Sequence, residues 1–175
     1  MKKITTILLA FITLTTLFLS CKKDEEAPAS ATATVTVTTS LLGFDGVNGT
    51  SFKSTTANVT KVGNSYTLVA VEDGAKRNIT IVLNNVTATG TFTLDKGNAN
   101  QNIATLNKDN TSADATLSYK TDGVSTAGVI GGGSVIISKL SDTEIEAKFF
   151  IIAYNSAKKE SFVENGAFSG KLTKN

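Results

Sequence analysis

The stretch "EIEAKFFIIAY", residues 144–154, carries the clearest signal for the type of fold. Apolar and polar residues alternate along it, and successive side chains of a strand point to opposite faces. The alternation therefore predicts a half-buried β-strand. The inward face carries Ile145, Ala147, Phe149 and Ile151, and the outward face carries Glu144, Glu146, Lys148 and Phe150.

The outward face of this strand ends in an apolar stripe of Phe150, Ile152 and Tyr154. We predict that a second sheet or a neighbouring loop covers this stripe, so that the strand is buried on both sides. The alternative is a docking patch for a partner protein.

The same period of two recurs along the rest of the chain, and no helical spacing persists over ten residues. Short turn-like links between the runs favour hairpins. We therefore expect an all-β fold, an antiparallel meander of about eight to ten strands that forms a sandwich or a partly closed barrel. The alternating runs are 34–38, 65–72, 77–84, 89–95, 115–119, 133–140, 144–154 and 160–172.

The inward positions of these runs predict the hydrophobic core. Its members are Phe52, Leu68, Ile79, Ile81, Phe92, Leu94, Val135, Ile137, Ile145, Phe149, Ile151, Phe162 and Phe168.

The N-terminus has the features of a cleaved signal helix, residues 1–20. Lys2 and Lys3 precede an apolar run at 4–19, which is shorter than the about 20 residues of a membrane-spanning helix. The tetrad Phe18-Leu19-Ser20-Cys21 then resembles a bacterial lipobox. That resemblance implies cleavage before Cys21, a diacylglycerol on its thiol and an acyl chain such as palmitate on its new amino group. Several chains anchor a protein stably where one holds it marginally. The alternative is a buried core cysteine.

A charged run follows the cysteine, and residues 22–33 contain no large apolar side chain. We therefore divide the mature chain into a flexible tether at 21–33 and a single β-domain at 34–175. The charged run resembles the export signal that sends Bacteroidetes lipoproteins to the outer face of the outer membrane, which implies display on the cell surface. The alternative is a plain solvated tether on a protein that faces the periplasm. The run consists of Lys22, Lys23, Asp24, Glu25 and Glu26.

Four segments of the body, taken in order, resemble small Bacteroidetes lipoproteins of an uncharacterised domain family. They are "VNGTSFKS" (47–54), "ITIVLNNVTATGTFTL" (79–94), "GGGSVIISKLSDTEIEAKFFIIA" (131–153) and "VENGAFSGKL" (163–172). The resemblance implies a β-domain in the cell envelope and assigns no catalytic or binding residue.

Composition excludes several chemistries. The chain has no histidine and one cysteine, which rules out Ser-His-Asp and Cys-His catalysis and the usual zinc sites. Without Lys2 and Lys3, the 17 basic residues fall to 15, equal to the 15 acidic residues, so no nucleic-acid partner is expected.

We expect no enzyme activity, cofactor or metal site. A carboxylate-based hydrolase is a lesser alternative, with the acids Asp73, Asp122, Glu144, Glu146 and Glu164 as candidates.

The expected function is a lipid-anchored envelope domain with an interaction or structural role, its partners being the membrane and an unidentified protein. The alternative is a glycan- or nutrient-binding module of an uptake system, for which Tyr66, Tyr119 and Tyr154 are the only tyrosines available for stacking.

Residues 95–114 are rich in Asn and Asp. They are expected to contain a short strand at Ile103–Leu106 and otherwise turns, with a weak divalent-cation site as the alternative. The Gly-rich run 128–135 predicts a bulge or flexible entry into a strand.

Overall fold

The computed structural model describes residues 30–174, which form one antiparallel sheet of 11 strands. The predicted signal peptide, Cys21 and the export signal lie outside the described residues. Between 30 and 174 there is no helix long and apolar enough to cross a bilayer. The strands are β1 (Ser30–Phe44), β2 (Thr50–Val62), β3 (Ser65–Val71), β4 (Asn78–Leu83), β5 (Gly90–Thr93), β6 (Ile103–Asn107), β7 (Ser118–Lys120), β8 (Gly132–Leu140), β9 (Glu144–Tyr154), β10 (Glu160–Lys171) and β11 (Thr173–Lys174), with a 3₁₀ turn at Ala115–Leu117.

Eight of the strands close into a barrel. They follow the order β1-β2-β3-β4-β6-β7-β9-β10, and β10 pairs with both β9 and β1. The all-β prediction is confirmed, and of the two predicted arrangements the structure has the barrel. At eight strands the interior is just wide enough for side chains to fill, and one contiguous cluster of buried side chains fills it.

Two strands depart from a simple meander. β7 pairs with β9 only through Lys120 and Tyr154. The rest of that edge, from Ile145 to Ile152, pairs with β8, and β8 in turn pairs with β5. β5 therefore pairs away from β4, its predecessor in the chain, and β4 pairs with β6 instead.

The predicted core is confirmed except at two phenylalanines. Phe92 is only partly buried, and Phe162 lies on the outside of the barrel. The cause of the second error is a β-bulge between Val163 and Gly166. An extra residue in a strand reverses the face of every position beyond it. Phe162 therefore points outward although Phe168, an even number of residues away, points into the core.

β1 begins at Ser30, four residues before the position at which alternation predicts it. Ala31 and Ala33 are buried, and Ala31 pairs with both β2 and β11. The buried positions here carry alanine and not a large apolar residue, which is why a search for large apolar residues does not detect a strand here.

A buried asparagine ties β5 to the barrel wall. Asn102 is 4% exposed. Its Oδ1 accepts a hydrogen bond from Asn84 N at 2.8 Å, and its Nδ2 donates to Thr93 O at 3.1 Å. Its backbone N donates to Asn98 Oδ1 at 2.8 Å. This asparagine-rich segment leads directly into β6, which confirms the predicted short strand.

Candidate functional site

The outer face of β8, β9 and β10 carries an exposed apolar surface, which we call the ridge. It consists of Ile136, Phe150, Ile152 and Phe162. Phe150 is 51% exposed, Ile136 48% and Ile152 41%, and Phe162 is half-buried. A contiguous apolar surface rimmed by polar and charged residues is a candidate interaction site.

The structure corrects the prediction that this stripe is covered. β8 and β10 flank β9 within the same sheet, and the barrel encloses only the inner face of β9. Phe150 and Ile152 therefore stay exposed. Tyr154 alone is covered, and its hydroxyl donates to Glu160 Oε2 at 3.0 Å. Burial and then this hydrogen bond raise the pKa of Tyr154.

Strand register explains why the ridge stands out from its surroundings. Phe150 pairs with Ser134 on β8, while Ile152 lies between Gly132 on β8 and Phe162 on β10. Neighbouring strands are about 4.8 Å apart, so small residues beside large ones leave open space along the ridge.

Two depressions flank Phe150. One, which we call the hollow, has a volume of about 350 Å³ and is lined by Phe150, Ile152 and Phe162, with Glu160 and Glu164 at its rim. The other measures about 270 Å³ and lies between Phe150, Ile136, Lys148 and Asn165. The ridge is thus bordered by a lysine on one side and two glutamates on the other.

Bulges in two adjacent strands shape the rim. The bulge in β10 lies beside one in β1 between Thr39 and Leu42. Ser40 Oγ joins them, because it donates to Glu164 O at 3.1 Å and accepts from Asn165 Nδ2 at 3.0 Å. Gly166 follows, where any Cβ would collide with the ring of Phe149. The bulges thus hold Glu164 and Asn165 outward.

The candidate acids of a hydrolase do not form a catalytic pair around a cleft. Lys139 Nζ lies 2.6 Å from Glu144 and 3.8 Å from Glu146 on the outside of the barrel. Its hydrogen bond lowers the pKa of Glu144, whereas a general acid needs a raised pKa. Asp73 accepts from Thr55 N at 3.0 Å. Asp122 is exposed, and Glu164 lies at the ridge.

The oxygens of the Asn/Asp-rich segment are used within the protein. Asp109 accepts from the backbone and hydroxyl of Thr111, and these bonds lower its pKa. Thr116 does the same for Asp114. Across residues 30–174 no three acidic or thiol side chains cluster as a metal site would need. The Gly-rich run enters β8 as predicted.

A second polar cluster lies where β1 ends, and no pattern in the sequence indicates it. The Tyr119 hydroxyl donates to Asp45 Oδ1 at 2.6 Å, and Lys108 Nζ lies 2.6 Å from Asp45 Oδ2. The bond from Lys108, followed by that from Tyr119, lowers the pKa of Asp45. Burial raises the pKa of Tyr119. Like Tyr119, Tyr66 and Tyr154 are buried, so no tyrosine ring is presented for sugar stacking.

The alternation places Phe150 and Ile152 on one outer face but does not identify Ile136 and Phe162 as their neighbours. The Asn-Gly pair at 165–166 is the available signal, since Asn and Gly favour bulge conformations and Asn165 has φ +49°. Comparisons with models of known families, with curated proteins and with solved structures find no match to this chain.

Proposed function

We propose that this chain is a lipid-anchored protein of the bacterial outer membrane that docks another protein on its ridge. The observation that supports docking is the exposure of Phe150 beside two depressions on the outer wall of a barrel whose interior is filled. A large aromatic side chain in the centre of an apolar surface with a charged rim is the usual anatomy of a protein interface.

The anchor part of the proposal rests on sequence. Cys21 receives the lipid, and residues 22–26 direct the protein to the outer face of the outer membrane. Residues 21–29 can reach about 30 Å when extended, at ~3.3–3.6 Å per residue.

The anchor is tested by intact mass spectrometry of the chain purified from membranes. The expected product begins at Cys21 and carries the mass of a diacylglycerol and an acyl chain. The Cys21→Ser variant is expected to lack this mass. A chain from wild-type cells with a free Cys21 thiol would contradict the proposal.

Docking is tested by the reactivity of an introduced thiol, because a lipidated Cys21 leaves the chain with no other. Ile136→Cys places the thiol on the ridge, and the matched control Val69→Cys places it on β3, where Val69 is 39% exposed. In intact cells N-ethylmaleimide should label Ile136→Cys more slowly than it does after detergent extraction. Val69→Cys should react equally in both. If Ile136→Cys, like Val69→Cys, were labelled at the same rate in intact cells as after extraction, docking would be overturned.

A further inference from the structure

We infer that the protein docked on the ridge is a second copy of this chain; this inference rests on the proposed function. The ridge and its rim together contain both halves of a complementary pair. The projecting half is Phe150 with Lys148, two residues earlier on the same face. The receiving half is the hollow, whose walls are Ile152, Phe162 and one side of Phe150 itself. A two-fold interface requires this kind of self-complementary surface.

Charge supports the same pairing. Glu160 and Glu164 stand at the rim of the hollow, whereas Lys148 borders the opposite depression. A projecting phenylalanine with a neighbouring cation therefore faces an apolar hollow with neighbouring anions. Opposite charges at an interface rim set its register and suppress wrong partners.

Strand register fixes where the two-fold axis lies. Glu160 pairs with Tyr154, six residues after Lys148 on β9. The two charges are therefore about 20 Å apart along neighbouring strands, at ~3.4 Å per residue. An axis that lies in the interface and crosses the strands midway exchanges these positions. Lys148 of each copy then meets Glu160 of the other.

The same axis seats the aromatic rings. It runs over the outer face of β9 between the level of Phe150 and the level of Ile152, which pairs with Phe162. Rotation about it therefore carries Phe150 of one copy to a point between Ile152 and Phe162 of the other, which is the hollow. Glu160 also accepts a hydrogen bond from the hydroxyl of Tyr154. Its carboxylate has further lone pairs that can accept from Lys148 of the other copy.

The expected contact is small. The ridge and its rim span three strands and about 20 Å along them, roughly 300 Å² in all, against about 800 Å² per partner in a standard interface. Dimers should therefore be weak in dilute solution and form on the membrane, where anchoring raises the effective concentration. If the two-fold axis is normal to the membrane, the strands of both barrels run parallel to the membrane surface. The two Ser30 residues then lie at equal distances from the membrane.

The test is a mixed cysteine pair in intact cells. One full-length copy carries Lys148→Cys and a differently tagged copy carries Glu160→Cys, and a short bifunctional maleimide is added. A covalent dimer is expected when the two are expressed together. It is not expected from either alone, nor when Val69→Cys replaces Glu160→Cys. Failure of the mixed pair to cross-link would overturn the inference.

Charge reversal gives a second measurement that does not depend on cross-linking. In the Ile136→Cys background, Lys148→Glu should abolish protection of the thiol in cells, and adding Glu160→Lys to the same chain should restore it. A thiol that stays protected in all of these variants, with no mixed cross-link, would show a different partner and overturn only this inference. A thiol that is unprotected throughout would overturn the proposed function as well.

Discussion

Phe149 and Phe150 are adjacent phenylalanines on opposite faces of β9, and together they form an internal comparison. Phe149 is buried and lies 6.2 Å, centroid to centroid, from the ring of Phe168. Phe149→Ala removes buried apolar area and leaves a cavity, so the free energy of unfolding should fall by about 4 kcal/mol, within the ~3–5 kcal/mol typical of such changes.

Phe150→Ala should cost much less. About half of this side chain is already in solvent (51%), so the lost transfer free energy is at most half that at Phe149, and no closed cavity forms. We expect about 1 kcal/mol, near the range for surface substitutions. The difference between the two variants is therefore about 3 kcal/mol.

The assay is urea unfolding followed by far-ultraviolet circular dichroism, on the chain produced without residues 1–20 and with Cys21→Ser. Each variant is measured at two protein concentrations tenfold apart, and equal midpoints show that the monomer is being measured. A Phe150→Ala cost that equals the cost of Phe149→Ala would mean that the ridge is covered within the monomer. The ridge would then not be free to dock another protein.

Buried polar groups provide the remaining predictions. Asn102→Ala leaves a backbone N–H and a carbonyl without their partner, so the free energy of unfolding measured in urea should fall by about 2–3 kcal/mol. The control Asn110→Ala, at an exposed position of the same Asn/Asp-rich segment, should be nearly neutral. Ser54→Ala removes a buried hydroxyl that has no hydrogen-bond partner within residues 30–174 and should be neutral or stabilising. Ser161→Ala removes a buried hydroxyl that donates to Gly43 O at 2.6 Å, so it should lower the free energy of unfolding by about 1–2 kcal/mol. If thermal unfolding showed Ser54→Ala to be the more destabilising of the two, these hydrogen-bond states of the two hydroxyls would be wrong. Asp45 has a folded-state pKa below its unfolded value, so its contribution is present above the unfolded pKa and is lost as the pH falls through the folded one. Asp45→Asn should therefore lower stability at neutral pH and flatten its decline in acid, and an unchanged decline would count against the cluster at the end of β1.

Much of the barrel is predictable because its strands obey a strict alternation. In β9 every inward position from Ile145 to Ile151 is buried as predicted. Closure of the barrel is not predictable, since it depends on pairing between β1 and β10, which lie at opposite ends of the chain. Alternation states which face of a strand is buried but not which strand lies beside it.

The ridge shows where prediction from sequence fails for a physical reason. The apolar stripe on β9 is visible in the sequence, but its exposure depends on whether another layer covers it, and a strand pattern carries no information on that. Phe162 is wrongly assigned to the core when alternation is carried unbroken through Asn165 and Gly166. One inserted residue reverses its face and places it next to Ile152.

Photo-cross-linking from position 150 in intact cells is the sharpest test of docking on the ridge. Phe150 is replaced by benzoylphenylalanine, which retains an aromatic ring, and the same substitution at Val69 is the control. We expect an adduct from position 150 with the mass of two chains, and none from position 69. Irradiation that yields only uncross-linked chain from position 150 would show that the ridge is not a docking surface.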